Sequence, residues 1–209
     1  MKVPTDNLLL VIGGGIESIP GIIKAKEMGL RVVVTDINPD APATSYADFM
    51  IICSTYDISQ TSISVREFIQ ENGMICGVIS FASDVPKTVS KIAEEYNLPS
   101  HPMEAAILAS NKELMNERFF SSGIPTAKYS RVYSLDELDE KISDFDFPVI
   151  VKPVDGRGAR GVLLLRSPND YSEVIHSFNQ SEFNYLLIEE YLEKFILFVV
   201  ITQQILGSY

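Results

Sequence analysis

Short apolar runs alternate with longer amphipathic stretches over the first hundred residues of the chain. Leu8–Ile12 is a continuous apolar run, which is typical of a buried strand in a parallel sheet. Residues 17–28 place most of their apolar positions on one helical face, and residues 30–36 are again strand-like. Further strands are predicted over 48–53 and 77–81, and further helices over 63–71 and 86–96. We therefore predict an α/β domain, Rossmann-like, in which helices cover both faces of a parallel sheet.

The pattern changes after residues 97–102, a stretch that contains two prolines. Ser110 and Glu113 have the spacing of a capping box, which predicts a helix that begins at Ser110. The elements predicted after it are a strand over 128–133, an acidic helix over 134–145 with Ser134 as its N-cap, a helix over 168–178 and a strand over 185–191. This second region is α+β. We predict domains over 1–100 and 101–193, followed by a divergent or truncated tail over 194–209.

Residues 147–167 have the pattern of a strand, a glycine loop and a second strand. Gly156, Gly158 and Gly161 have the G-x-G-x-x-G spacing of a dinucleotide-binding loop. Such a loop must lead from a strand into a helix, whose N-terminus holds the pyrophosphate. Here the loop leads back into a strand. The order of elements therefore predicts a β-hairpin whose tip, with few side chains, can offer backbone N–H groups to a polyphosphate.

Cations accompany this loop in an otherwise acidic chain with a net charge of −11. Lys152 ends the first strand and shares a face with Ile150, while Arg157 and Arg160 lie in the loop. This local reversal of charge fits a phosphate ligand, although an exposed hairpin with solvated arginines has the same pattern. Lys112 lies in the first turn of the helix predicted from Ser110, where a cation opposes the helix dipole. It either meets an anion there or is an exposed lysine without a role.

A second glycine loop, Gly13–Gly15, follows the first predicted strand. Asp36 lies at the end of the next strand, where a Rossmann fold has its ribose-binding acid. The loop lacks the third glycine, because Ser18 occupies that position. Two interpretations stay open at this point: a dinucleotide-binding site, or a tight turn of the kind that any α/β sheet can use.

Composition narrows the classes of partner. Nucleic acid and anionic membranes are bound through an excess of Lys and Arg, so an acidic chain argues against both. Cys53 and Cys76 lie in apolar, strand-like segments and are expected to be buried free thiols. No His/Cys cluster has metal-ligand spacing, and no apolar run is long enough to span a bilayer. We expect a cytoplasmic protein with no metal held by its own residues alone.

Three segments, in this order, resemble the ATP-grasp superfamily: SNKELMNERFFSSGIPT, FPVIVKPVDGRGARGV and LIEEYLE. The resemblance is greatest to the large chain of carbamoyl-phosphate synthase and related carboxylate–amine ligases. The segment VTDINPDAPATSYAD is similar to part of the domain that precedes the ATP-grasp fold, so the resemblance spans residues 1 to about 193. It implies a pre-ATP-grasp domain followed by the N-terminal lobe of an ATP-grasp domain.

The resemblance also implies roles for individual residues. Lys112 and Lys152 match the lysines that contact nucleotide phosphates, residues 156–161 match the loop that closes over the β- and γ-phosphates, and the backbone of Glu190 and Leu192 matches the hinge at the adenine edge. The implied nucleotide-binding residues are Lys112, Lys152, Gly156, Arg157, Gly158, Ala159, Arg160, Gly161, Glu189, Glu190, Tyr191, Leu192 and Glu193. The implied reaction uses ATP, with Mg²⁺, to phosphorylate a carboxylate, and an amine-type nucleophile then displaces the phosphate.

The resemblance stops at Glu193, because Lys194, Phe195 and Ile196 occupy positions where the family has a glycine and a ribose-binding glutamate. The acidic residues that hold Mg²⁺ in the family are expected beyond residue 209, so no catalytic residue is assigned and this chain alone is expected not to turn over. A separate chain can supply the C-terminal lobe. The alternatives are an NAD(P)-binding Rossmann oxidoreductase and a non-catalytic nucleotide-binding half of a split enzyme. The carboxylate, the nucleophile and the oligomeric state stay open.

Overall fold

The structure is a computed structural model that describes residues 7–156, 160–171, 174 and 185–193. The chain divides into two compact units, Met1–Ser122 and Gly123–Tyr209, and each is described by itself. The first unit extends past residue 100 because α4 (Met103–Ala109) packs against α3 (Pro86–Glu95), and α5 (Lys112–Ser121) packs against α4. This division by packing does not test the family-based domain boundaries, which stay a prediction.

The first unit contains a parallel sheet, as the run of apolar segments predicts. Its strands are hydrogen-bonded in the order β3-β2-β1-β4, and every neighbouring pair is parallel. Helices alternate with these strands along the chain, so the α/β prediction is confirmed. The elements before α3 are β1 (Leu8–Ile12), α1 (Ile19–Glu27), β2 (Arg31–Asp36), β3 (Phe49–Ile52), α2 (Ile58–Asn72) and β4 (Ile75–Ile79).

The two faces of this sheet have separate cores. Leu10 and Val33 pack on one face with the helical residue Ile92 of α3. Val34 packs on the other face with Ile22 of α1. These side chains are completely buried. Because adjacent residues of a strand point to opposite faces, the continuous apolar runs of β1 and β2 supply both cores, and helices cover both faces as predicted.

The predicted N-cap of α5 is wrong. The N-cap of the helix predicted from Ser110 is Asn111, one residue later, and its side chain accepts hydrogen bonds from the backbone N–H groups of Glu113 and Leu114, both at 3.0 Å. Ser110 instead ends α4, where its hydroxyl donates to the carbonyl of Ala106. The C-cap of α4 and the N-cap of α5 are adjacent residues, so the capping-box spacing placed the N-cap of α5 one residue too early.

The expectation for the cysteines holds for one of the two. Cys53 is buried and unpaired, and burial raises the pKa of its thiol. Cys76 is also unpaired but exposed. Cys76 lies on β4, which is an edge strand of the sheet. At a sheet edge, side chains are less completely covered by neighbouring elements than in the centre.

The second unit contains an antiparallel sheet with the strand order β5-β8-β6-β7. Its core includes Val149, Val151, Leu165 and Ile188. The predicted hairpin is confirmed, because Val149–Val151 of β6 pair with Leu163–Leu165 of β7 in antiparallel register. The elements are β5 (Tyr129–Val132), α6 (Leu135–Ile142), β6 (Val149–Pro153), β7 (Leu163–Leu165) and β8 (Leu186–Glu190).

Ser134 caps α6, as predicted, since its side chain accepts from the backbone N–H of Glu137. The helix predicted over 168–178 lies only partly within the described residues, where Pro168–Asp170 form a 3₁₀ turn. The tail over 194–209 lies outside them. Within the described residues, no helix combines the length and the apolar composition needed to cross a membrane.

Candidate functional site

Lys152 and Glu189 form an ion pair on the face of the second sheet that points away from its core. Lys152 lies on β6 and Glu189 on β8, the two inner strands, and the register places Ile150 opposite Glu189 and Lys152 opposite Leu187. The two charged residues are therefore diagonal neighbours on one face. Lys152 Nζ lies 2.5 Å from Glu189 Oε2, and the two side chains are only 20% and 11% exposed.

This pair explains why the sheet tolerates a lysine in a nearly buried position. An unpaired charge in such a place costs several kcal/mol of desolvation, and a close carboxylate offsets much of that cost. The ammonium has three donors, so pairing with Glu189 leaves donors available to a further acceptor. The arrangement can therefore hold an anionic group beside Lys152.

The loop between β6 and β7 begins shortly after Lys152 along the chain. Gly156 lies against the other end of the loop, because a Cβ added to it would lie 3.1 Å from the carbonyl oxygen of Arg160. Gly161 has φ of +72°, a left-handed conformation that favours glycine. Both glycines thus have local conformational reasons to be glycine. Arg157, Gly158 and Ala159 lie outside the described residues.

Glu190, Tyr191 and Glu193 lie at the end of β8 and line a cleft of about 310 Å³. The backbone N–H of Glu190 donates to the carbonyl of Lys128, which joins this end of β8 to the start of β5. Lys128 reaches into the same cleft region, where its ammonium donates to the carbonyl of Asp144 at 2.6 Å. Tyr191 and Leu192 are exposed, so this segment presents side chains to solvent.

Lys112 is the first residue of α5 and belongs to the first unit. The Asn111 side chain already satisfies the N–H groups of Glu113 and Leu114. Those two groups are therefore not available to a phosphate, and the expected joint action of Lys112 with the helix N-terminus loses that support. Lys112 and Lys152 lie in different compact units, so their common role stays a prediction.

Gly13–Gly15, the glycine loop of the first unit, contacts neighbouring residues of the same unit. Asp36 Oδ2 accepts from the backbone N–H of Gly14 at 2.8 Å, and Oδ1 accepts from Asn38 N–H at 2.9 Å. A Cβ on Gly13 would lie 2.0 Å from Ser83 Oγ, and one on Gly14 would lie 2.8 Å from the Cβ of Ala41. Asp36 therefore holds the loop itself, which favours the tight-turn interpretation over a ribose-binding acid.

A second cleft, of about 490 Å³, lies at the carboxyl end of β4 in the first unit. Ser80, Ser83 and His101 contribute polar groups to it, and the Nε2–H of His101 donates to the carbonyl of Pro86 at 3.1 Å. We did not predict these residues as a site. The signal that points to them is their place beyond the carboxyl end of a parallel strand, where open α/β sheets bind ligands.

A family model for the ATP-grasp domain matches residues 117–203. The match covers the hairpin, Lys152 and the end of β8, and it begins after Lys112. Residues 117–203 are therefore similar to the ATP-grasp domain, whose enzymes use ATP.

Comparison with curated proteins gives a consistent result. A formate-dependent phosphoribosylglycinamide formyltransferase from Prochlorococcus marinus is 24% identical over 187 residues, which are 88% of this chain and 47% of the relative. A carbamoyl-phosphate synthase from Methanobrevibacter smithii is 24% identical over 80% of this chain and 44% of the relative. The chain therefore spans about half the length of the curated relatives it matches.

Solved structures show the same fold. An N5-carboxyaminoimidazole synthetase from Staphylococcus aureus, complexed with ADP, superposes with a TM-score of 0.73 at 22% identity, covering 91% of this chain and 49% of that one. An L-amino acid ligase from Bacillus licheniformis superposes with a TM-score of 0.69 at 20% identity, covering 91% of this chain and 45% of that one. At this identity the likeness establishes the architecture, which confirms the predicted fold class.

Proposed function

We propose that this chain is the ATP-binding portion of an ATP-grasp ligase that activates a carboxylate as an acyl phosphate. The observation that carries the proposal is the β6–β7 hairpin with Lys152 beside its glycine loop. That combination brings together an ammonium and a loop of small residues with backbone N–H groups, and these are the groups that a polyphosphate needs.

Each predicted nucleotide-binding residue has a role in this proposal. The Lys152 ammonium neutralises phosphate charge, and residues 156–161 donate backbone N–H groups to the β- and γ-phosphates. The segment 189–193 contacts the adenine edge through its backbone. The family resemblance adds Lys112 as a further proposed phosphate contact.

The reaction proposed for the whole enzyme has two steps. A carboxylate oxygen attacks the γ-phosphorus, the bond from that phosphorus to the bridging oxygen breaks, and ADP leaves with the electron pair. An amine nitrogen then attacks the acyl carbon and releases phosphate, while the amine gives its proton to solvent. Catalysis of such steps depends on positioning and on charge neutralisation, which lysines and backbone N–H groups provide.

Mg²⁺ is the cation that the family resemblance implies for this chemistry. Among the described residues, no group of three or more His, Cys, Asp or Glu side chains could hold a metal ion. We therefore assign no residue of the described part of the chain to the metal. We propose that the remaining ATP-grasp residues come from a separate or further polypeptide segment, and that the enzyme works on a small carboxylate in the cytoplasm.

Calorimetric titration of the 209-residue chain with ATP–Mg and with NAD, run side by side, tests the proposal. Lys152→Ala removes a charge-assisted contact and is expected to weaken ATP binding by roughly ten- to a hundredfold. Lys24→Ala is the matched control, because Lys24 is an exposed lysine of the first unit. Asp36→Asn is also expected to leave ATP affinity unchanged. Tight NAD binding that is lost in Asp36→Asn, with no response to ATP, would contradict the proposal.

A further inference from the structure

We propose that Glu189 is an internal counterion that competes with the nucleotide phosphates for the Lys152 ammonium and so lowers the affinity of the site. The inference rests on the proposed function, since it assumes that phosphates reach Lys152. It assigns to the Glu189 side chain a role that is separate from the backbone contacts expected of the segment 189–193.

The Lys152 ammonium and the Glu189 carboxylate are in direct contact. Lys152 Nζ and Glu189 Oε2 lie 2.5 Å apart on the two inner strands of the sheet. Leu187, which shares this sheet face, is completely buried. Both charges therefore lie in a partly water-excluded place, where electrostatic interactions are less screened than at the surface.

A phosphate within hydrogen-bond distance of Lys152 must also lie near the Glu189 carboxylate. The attraction to the ammonium is then partly cancelled by repulsion between the two anions. Without a phosphate, Glu189 stabilises the free protein by neutralising Lys152. With a phosphate bound, the ligand itself neutralises Lys152, so Glu189 stabilises the free state more than the bound state.

Removing the carboxylate charge should therefore favour the bound state. In Glu189→Gln, the free protein keeps an uncompensated ammonium, whereas in the complex the phosphate compensates it. A purely structural role for Glu189 gives the opposite result, because a displaced Lys152 would bind phosphate less well. The sign of the change in affinity separates the two roles.

The experiment is calorimetric titration of the full 209-residue chain with ADP and, separately, with inorganic triphosphate. Glu189→Gln is expected to bind both about tenfold more tightly than the wild type, with a gain that shrinks as salt is raised. Glu189→Asp keeps the charge and is expected to show no such gain. Glu140→Gln is the matched control, because Glu140 is an exposed carboxylate of the same unit. Circular dichroism on each variant checks that it is folded.

Three further outcomes complete the test. In the Lys152→Met background, Glu189→Gln is expected to have no effect on affinity, because the competition needs the ammonium. Binding by the wild type together with unchanged or weaker binding by folded Glu189→Gln would overturn this inference alone. No binding of either ligand to any variant would overturn both this inference and the proposed function.

Discussion

The ion pair between Lys152 and Glu189 gives a stability prediction that does not depend on any ligand. Lys152→Met keeps most of the side-chain length but removes the charge, so the Glu189 carboxylate, which is 11% exposed, loses its ion pair with Lys152. Breaking a fully buried pair by removing one partner costs about 3–5 kcal/mol. Because Lys152 retains 20% exposure, we expect a smaller loss, about 2–3 kcal/mol, in the free energy of unfolding.

A double-mutant cycle separates the pair from the packing of the two side chains. Lys152→Met/Glu189→Leu replaces both charges by apolar groups and is expected to recover most of the loss, since such replacements are often neutral or stabilising. Lys24→Met is the surface control, because the pair of Lys24 with Glu27 is 71% and 59% exposed and surface pairs contribute about 0–1 kcal/mol. Urea unfolding monitored by circular dichroism measures all of these variants. A loss below about 0.5 kcal/mol for Lys152→Met, or an additive double mutant, would refute the reasoning.

Two further predictions concern the first unit. Burial alone would raise the pKa of Asp48, but hydrogen bonds from Lys26 and from the Val32 N–H outweigh it and lower the pKa below its ordinary value of 3.8. The Asp48 carboxylate therefore stabilises the fold by about 1 kcal/mol at pH values above its ordinary pKa, and this contribution is lost as the pH falls through its folded pKa. In urea unfolding, Asp48→Asn should accordingly be as stable as the wild type only in acid. Asn111→Ala should lower stability by about 1 kcal/mol and more than Ser110→Ala does, because Asn111 caps α5; the reverse order in thermal unfolding would contradict this assignment.

The hairpin could be predicted from the sequence because its signals are local. Apolar runs flank the glycines, the first of them rich in β-branched residues, and the return of the loop into Val162–Leu165 excludes the strand–loop–helix geometry of a dinucleotide site. The parallel sheet of the first unit could be predicted for the same reason, since Leu8–Ile12 and the alternating elements after it follow the periodicity of strands and helices. Local patterns were thus sufficient for both folds.

The partner of Lys152 could not be predicted in this way. Glu189 is far from Lys152 along the chain, and only the antiparallel register of β6 with β8 brings the two together. Asp36 shows the opposite case, because its position suggested a ribose-binding acid, whereas its carboxylate accepts from Gly14 and Asn38. The N-cap of α5 was predicted one residue too early, at Ser110 instead of Asn111, because α4 and α5 follow each other directly and both residue types can cap a helix.

Hydrogen exchange with and without ATP–Mg tests most directly the claim that the hairpin, rather than the glycine loop of the first unit, holds the nucleotide. We predict that ATP slows amide exchange in residues 154–162 and 190–193, and that the effect is lost in Lys152→Met. Exchange in Gly13–Gly15 and around Asp36 should not change. Slower exchange in Gly13–Gly15, with no change in residues 154–162, would contradict the account.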